Sequence, residues 1–517
     1  VDLKGNVTVT PVEGYEYVVN EDGSVTFTYA VEHSVDPGEC EVFTNTATGI
    51  LGGGGDQPDD QATVELCAPA NLVVTKTAAT SYTAVYDWLI DKVADRTLWT
   101  VGPDGDVDVT YTVTVTENGV EYRDVEVAGA ITITNPNSEA VEVTSVADVI
   151  DGAECTVTGA PTSVPAKGSA TAAYTCDFPN GAALPADGTN TATVKYKEAF
   201  SNDVLTATGT APFSWADATV TDVDKTVTVT DTNYEWDPEW MLTYGDSGNQ
   251  YTKTYTLTYE GKDSAVCTTY DNTAAVKGGV INKEDSESVR VCTLDGSKTA
   301  LGTATADFTW DLEKTGGPDR VVDNSGSAVF DYQVTVTPTG PVYSQYQVSG
   351  DISLVNPEGS EPVTGALTDF LGIEGSQCVI QGTEEGMVTV PADGKDHSYS
   401  YTCTLPDLPE PVTVVNTAVF VWADGTQEVR STAEVGAQDW DVALTNETIK
   451  VYDDMAGDDD VLIGTVTVDL EGNVTAEPVE GYESVVNEDG SVTFTYAVEH
   501  SVDPGECEVF TNTATGI

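Results

Sequence analysis

Apolar and polar residues alternate with a period of two along most of this chain. Between Asp106 and Gly119, Val107, Val109, Tyr111, Val113 and Val115 fall on one side and Asp and Thr on the other. Val25, Phe27, Tyr29 and Val31 repeat the pattern in "GSVTFTYAVEH", and "GSAVFDYQVTVTPTG" does so from Gly326. Successive side chains of a strand point to opposite faces, so this spacing predicts antiparallel strands with one face on a core. The runs end in segments such as "NEDGS" and "TENGV", which have the chemistry of tight turns. No stretch sustains a helical period. The most helix-like, from Ala84 to Trp99, contains β-branched residues, and its counterpart "FTWDLEKTGGPDR" from Phe308 reads as a strand and a loop. The longest apolar runs, such as "TAVFVW" from Thr417, have strand length and fall short of the ~18–20 residues of a membrane helix.

Above this pattern lies a long repeat. "NEDGSVTFTYAVEHSVDPGECEVFTNTATGI" runs from Asn20 to Ile50 and recurs, letter for letter, from Asn487 to Ile517. The match extends back to Val1 and Val468, an offset of 467 residues, with four changes: Lys4 against Glu471, Val9 against Ala476, Thr10 against Glu477, Tyr17 against Ser484. Identity this close predicts a tandem array of which the chain holds one period and a piece of the next. There is no initiator Met or basic-then-apolar leader, and the chain reads as a segment of something longer.

An older repeat lies inside the period. "YDWLIDK" at Tyr86 matches "FTWDLEK" at Phe308, "VAGAITITNPNSEAVEV" at Val127 matches "VSGDISLVNPEGSEPV" at Val348, and "CTTYDNTAAV" at Cys267 matches "CEVFTNTATG" at Cys507. A period is therefore two copies of a two-domain unit, each domain carrying an "NTA" strand. The expected modules are a partial domain over 1–71, whole domains over 72–215, 216–300 and 301–440, and a partial domain over 441–517. The opening domain lacks first strands whose counterpart begins at Asp441, and the closing one lacks last strands whose counterpart begins at Asp60. The fold class is all-β, a string of β-sandwiches.

The cysteines fall in pairs of similar separation: Cys40/Cys67, Cys155/Cys176, Cys267/Cys292 and Cys378/Cys403. Cys507 is the repeat image of Cys40, and its partner is expected outside the segment. No CxxC-type spacing suggests a metal site. Paired Cys in an acidic β-rich chain predict disulfides made in an oxidising compartment. They are too close in sequence for the inter-sheet bond of an antibody domain, and Trp88 and Trp310 precede them. A local clasp across neighbouring strands is expected.

The order W-x-x-x-K, alternating strand, "ITITNPN", Cys, Cys, "TNTATV" resembles large repeat-containing surface and secreted proteins of bacteria and archaea. Their modules are immunoglobulin-like, and the resemblance covers nearly the whole chain. It implies an extracellular, cell-surface structural or adhesive role and supplies no ligand.

Charge narrows the partners. Asp and Glu number 86 against 20 Lys and Arg, a net charge of −66. Such a surface repels nucleic acid and anionic lipid and suits solubility, spacing between molecules or cation binding. Dense carboxylates at Asp104, Asp106 and Asp108, and at Asp453, Asp454, Asp458, Asp459 and Asp460, make a Ca²⁺ ion the one cofactor to consider, since Ca²⁺ takes six to eight oxygens. Neither stretch has EF-hand spacing.

Nothing else points to catalysis. Three His occur, His33, His397 and His500, and the first and last are one repeat position. "YGDSGN" around Ser247 has part of the nucleophile segment of trypsin-like proteases but reads as a turn. One covalent candidate stands apart. Surface β-domains of this general kind carry Lys–Asn isopeptide bonds in some cases, and Lys92 and Lys314 hold equivalent early positions while Asn190 and Asn416 hold equivalent late ones. "NVT" at Asn6 and Asn473 and "NET" at Asn446 permit N-glycosylation.

The expectation is therefore a structural extracellular protein, its main partner other copies or neighbouring repeats of itself in a fibre, filament or sheath. Alternatives are an adhesin stalk, with a surface or glycan ligand bound elsewhere, and a filament of separate subunits joined by donated strands. "YEWDPEWM", from Tyr234 to Met241, is the one aromatic cluster that could face a ligand.

Overall fold

The computed structural model describes every residue except Leu3, Pro11, Ser247, Glu384 and Asp458. Among the described residues the regular elements are strands, apart from two single 3-10 turns at Trp215–Asp217 and Ala423–Gly425. The chain is all-β, a series of β-sandwiches. It divides into two compact units, each of discontinuous segments: Val1–Asp91, Val113–Thr252 and Thr273–Asp285 in the first, Lys92–Thr112, Lys253–Asn272 and Ser286–Ile517 in the second.

In the first unit one large sandwich is complete. One sheet takes Glu154–Thr158, Ser169–Asp177, the end of Asp106–Thr134 and Val73–Lys76. The facing sheet takes Ser163–Val164, Val141–Val149, Gly188–Lys197 and Val204–Phe213. The period-two pattern decides which side is buried. Ala172, Tyr174 and Cys176 of one strand meet Val127, Ile131 and Ile133 of the next, and Ala192, Val194 and Tyr196 close over them from the other sheet.

A hairpin of Cys40–Thr48 and Asp59–Cys67 precedes this sandwich, in register from Cys40 against Cys67 to Thr48 against Asp59. The link between them is short and held. Buried Asn137, in the "NPN" turn, accepts the Ala70 N–H at 2.8 Å and donates to the Ala70 carbonyl at 2.8 Å. Asn135 fixes Asn137 in turn, the Ser138 N–H donates to the Gly38 carbonyl, and Lys167 pairs with Glu39. Asn137→Ala leaves both polar groups of Ala70 unpaired, an expected loss of about 1–3 kcal/mol at this link. Limited proteolysis checks it. Cleavage between Cys67 and Leu72 should accelerate while the sandwich stays intact, and an unchanged rate would refute the clamp.

The second unit repeats the large sandwich. Gln377–Ile380, Asp396–Thr404, the end of Ser327–Val355 and Asp295–Lys298 form one sheet. Met387–Val390, Val363–Leu371, Val414–Trp422 and Gln427–Val435 form the other. Between them lie Tyr346, Val348, Ile352, Leu354, Tyr401, Cys403 and Phe420, all nearly inaccessible.

Here the structure corrects the expected domain boundaries. Leu301–Gly317 pairs with Ser327–Val355 along one long ribbon, from Leu301 against Ser349 to Gly317 against Asp331, with irregularities at Thr303/Thr305 and Asp307/Thr309. Beyond them the ribbon serves another core. Residues Ser327 to Val336 pair with Val492–Ser501. Val334, Val336, Trp310 and Leu312 pack with Ile449, Val451, Ile463, Val466 and Phe494. The blocks 301–440 and 441–517 are thus not separate folding units, because the first lends the second a hairpin. Alternation marks a strand, but a 29-residue strand carries no mark of where it passes from one sandwich to the next. Asp106–Thr134 has the same length. The approach to each small module is also shared: Asp441–Thr445 lies parallel to Thr303 to Asp307, and Thr219–Val223 parallel to Ser81 to Val85.

Candidate functional site

Four disulfides form, Cys40–Cys67, Cys155–Cys176, Cys267–Cys292 and Cys378–Cys403. Cys40/Cys67, Cys155/Cys176 and Cys378/Cys403 face each other directly on adjacent antiparallel strands, so these bonds are clasps within a sheet. Cys507 is an exposed thiol.

Beside the clasps lies an arrangement that the spacing of residues did not disclose. In the first large sandwich Lys76, on one sheet, makes an ion pair with Asp148, on the other, and both side chains are fully buried. The amine sits 3.0 Å from the centre of the Tyr174 ring. The other Asp148 oxygen lies 3.2 Å from Cys176 Sγ, and Asn190 Nδ2 lies 3.7 Å from the same sulfur.

The second large sandwich builds the same group. Lys298 Nζ is 2.9 Å from Asp369 Oδ1, both fully buried, and 3.1 Å from the centre of the Tyr401 ring. Asn416 Nδ2 donates to Asp369 Oδ2 at 3.3 Å and lies 3.1 Å from Cys403 Sγ. One carboxylate thus bridges the amine and the carboxamide.

The module closed by the borrowed hairpin has a third group. Lys314 pairs with Asp453, and its amine donates to the Tyr496 hydroxyl at 2.8 Å. Asn512 Nδ2 donates to that hydroxyl at 3.5 Å. Lys92 and Asn272 make a corresponding pair, donating to the Tyr255 hydroxyl at 2.5 and 2.7 Å. Tyr255 stacks on Tyr111 as Tyr496 stacks on Tyr332.

Burial sets the electrostatics. It pushes the Lys76, Lys298 and Lys314 amines down from the usual lysine range, against the pull of their carboxylates. It also pushes the Asp369 carboxyl up, against the pull of Lys298. In the Lys298–Asp369 pair desolvation thus penalises the charged form of both partners and favours neutral amine and neutral acid.

These positions revise the isopeptide expectation. Lys314 lies with Asp453 and Asn512, while Asn416 lies with Lys298 and Asp369; Asn190 lies with Lys76 and Asp148. The expected lysines and asparagines thus fall in different clusters, because equivalence between the two halves does not say which sandwich each strand enters. Lys76, Lys298, Asp148 and Asp369 went unseen. Two signals could have found them: Lys76 and Lys298 each open a "KTA" triplet, and four of the five "NTA" asparagines, Asn190, Asn272, Asn416 and Asn512, belong to a cluster, while Asn45 of the fifth donates to the exposed Tyr29 hydroxyl.

The acidic stretches are not gathered in this way. Asp453 belongs to the buried ion pair and is no loop ligand. Asp454 Oδ1 accepts the Ala456 and Thr513 N–H groups, and Asp108 accepts the Thr258 hydroxyl. Asp104 and Asp106 are exposed, and Asp458 lies outside the described residues. Among the described residues, the groups of three ligand-type atoms that lie together each contain a disulfide pair, whose sulfurs are not thiolates. Asp459 and Asp460 join none of them.

The remaining candidates pack. His33 stacks on Phe43 and His500 on Phe510, and His397 bonds Asp393. In the aromatic segment Trp240 is buried and meets Trp236 edge-on at 4.9 Å, while Met241 is exposed. Ser247 lies outside the described residues.

No protein-family model and no curated protein matches the sequence. Among solved structures, the chain is similar to the N-terminal eight Ig domains of Down Syndrome Cell Adhesion Molecule, isoform 1.30.30. The identity is 10% and the TM-score 0.12, over 100% of this chain and 94% of that one.

Proposed function

We propose that this chain is a stretch of an extracellular structural array, a fibre, filament or sheath of tandem immunoglobulin-like modules with a period of 467 residues. One observation carries the reading: Ser327–Val355 is a single strand that pairs with Asp396–Thr404 at one end and with Val492–Ser501 at the other. Two sandwiches that share an uninterrupted ribbon cannot swivel about a linker as beads on a string do. Near-identical periods make near-identical contacts, which is what a regular assembly requires. Paired disulfides suit an oxidising compartment, and the acidic surface keeps neighbouring copies apart except where they are built to touch.

Gold-labelled antibody against the folded chain, applied to intact source cells, tests this. Label should recur at one fixed spacing along surface fibres. Label confined to the cell interior would sink the proposal. On a reducing, denaturing gel, native material should run far above the mass of one period. A band near that mass supports separate subunits joined by donated strands instead.

A further inference from the structure

Three asparagine carbonyl oxygens, Asn190 Oδ1, Asn416 Oδ1 and Asn512 Oδ1, are buried with no hydrogen-bond donor among the described residues. A buried polar atom left unpaired is rare in a folded protein and calls for an explanation. Asn356 Oδ1, in a turn whose Nδ2 donates to the Glu361 and Val390 carbonyls, is orphaned as well, but the other three each lie in a cluster with a lysine amine, buried or nearly so, and a buried carboxylate. Hydrogen bonding gives no account of them. Chemistry does, because an amine, a carboxyl group and a carboxamide held together out of water are the parts of an acyl transfer.

We propose that Lys76 and Asn190, Lys298 and Asn416, and Lys314 and Asn512 become joined by side-chain amides, formed by the folded chain itself with release of ammonia. In the large sandwiches and the Lys314 module the neighbouring Asp148, Asp369 and Asp453 shuttle the proton. The first step is proton transfer across the ion pair, giving a neutral amine and a carboxylic acid. Burial of Lys298 and Asp369 favours that state. The Nζ lone pair then attacks the asparagine Cγ while the acid protonates the orphaned Oδ1. The carboxylate takes a proton from the attacking nitrogen and passes one to Nδ2. Collapse of the tetrahedral intermediate breaks the Cγ–Nδ2 bond, expels ammonia and returns the Oδ1 proton to the carboxylate. The amine and carboxamide become a secondary amide and ammonia, and the aspartic acid is regenerated. No oxidant or external reactant takes part.

The topology gives the bond a purpose. Lys76 and Lys298 stand on the first strands of their sandwiches, on one sheet, while Asn190 and Asn416 stand on the facing sheet. An amide there ties the two sheets together, where each disulfide ties neighbours within one sheet. The inference deepens the structural reading above, but its test does not depend on that reading.

The test is the mass of the full chain, folded, then denatured and reduced so that disulfides do not contribute. Each bond lowers the mass by about 17 Da, so three give a deficit of about 51 Da. Peptide mapping then places each bond. Lys298 and Asn416 should emerge in one branched peptide that reduction does not separate, and likewise for the other pairs. Asp369→Asn and Lys298→Arg should each restore about 17 Da, with near-UV circular dichroism reporting whether the variant folds. Where a variant does not fold, the wild-type map decides alone. A chain at its full sequence mass, with these lysines and asparagines in separate linear peptides, overturns the proposal. So does a deficit that maps to Asn118–Gly119 or another site of succinimide formation.

Discussion

Asp369→Ala is expected to destabilise the second large sandwich by about 3–5 kcal/mol, the cost of leaving one partner of a buried ion pair alone. Lys298 is fully buried, so its amine has no water to turn to, and Asn416 loses the acceptor for its Nδ2 at 3.3 Å. The control is Asp393→Ala, which removes the exposed carboxylate bonded to His397 at the rim of the same sandwich. An exposed pair is screened and contributes ~0–1 kcal/mol, so that variant should leave the denaturant midpoint almost unmoved. Urea unfolding followed by tryptophan fluorescence compares the two. Equal, small shifts would mean that the Lys298 cluster is solvated and idle.

The disulfide clasps give the second large effect. Replacing Cys378 and Cys403 by serine releases a loop closed over a sequence separation of 25 residues, and the chain-entropy account puts the loss at about 3 kcal/mol. The same applies to Cys155 and Cys176, at a separation of 21. Cys403 and Cys176 are inaccessible while Cys40 and Cys67 are partly exposed, so mild reductant should open the Cys40–Cys67 clasp first. Timed alkylation and peptide mapping read the order. If all four open together, the sandwiches do not shield their sulfurs.

Much of this fold was legible in the residues. Valines spaced by two from Val107 to Val115 gave strands with the right face inward, since strand geometry is local and leaves a period. The cysteine pairing was legible for a similar reason, because clasps between sequence neighbours keep their separations under duplication. What stayed hidden was long-range assignment. Nothing within Ser327–Val355 records that its first part joins Phe494 while its last part joins Tyr401. The buried clusters were half-visible. Scarce lysines and recurring "NTA" strands marked Lys92, Lys314, Asn190 and Asn416. Which lysine meets which asparagine depends on how two sheets face each other, and that is set by packing across more than a hundred residues of chain. The aspartates were hardest to see, because Asp148, Asp369 and Asp453 are three among 86 acidic residues and only burial separates them from the rest.

The central claim is that these modules are braced to carry load along an array. Pulling a single chain by its two ends, with its disulfides reduced so that they hold back no length, tests it most directly. Stretched backbone gains about 3.3–3.6 Å per residue, so each unfolding step counts the residues released. The account predicts that the residues between Lys298 and Asn416 stay closed at forces that rupture ordinary sandwiches, because the tie between the first strand and a late strand carries the tension past the fold. The released length should then fall short of the chain's contour length by the stapled segments. Steps that add up to the full contour length of the unfolded chain would contradict the account.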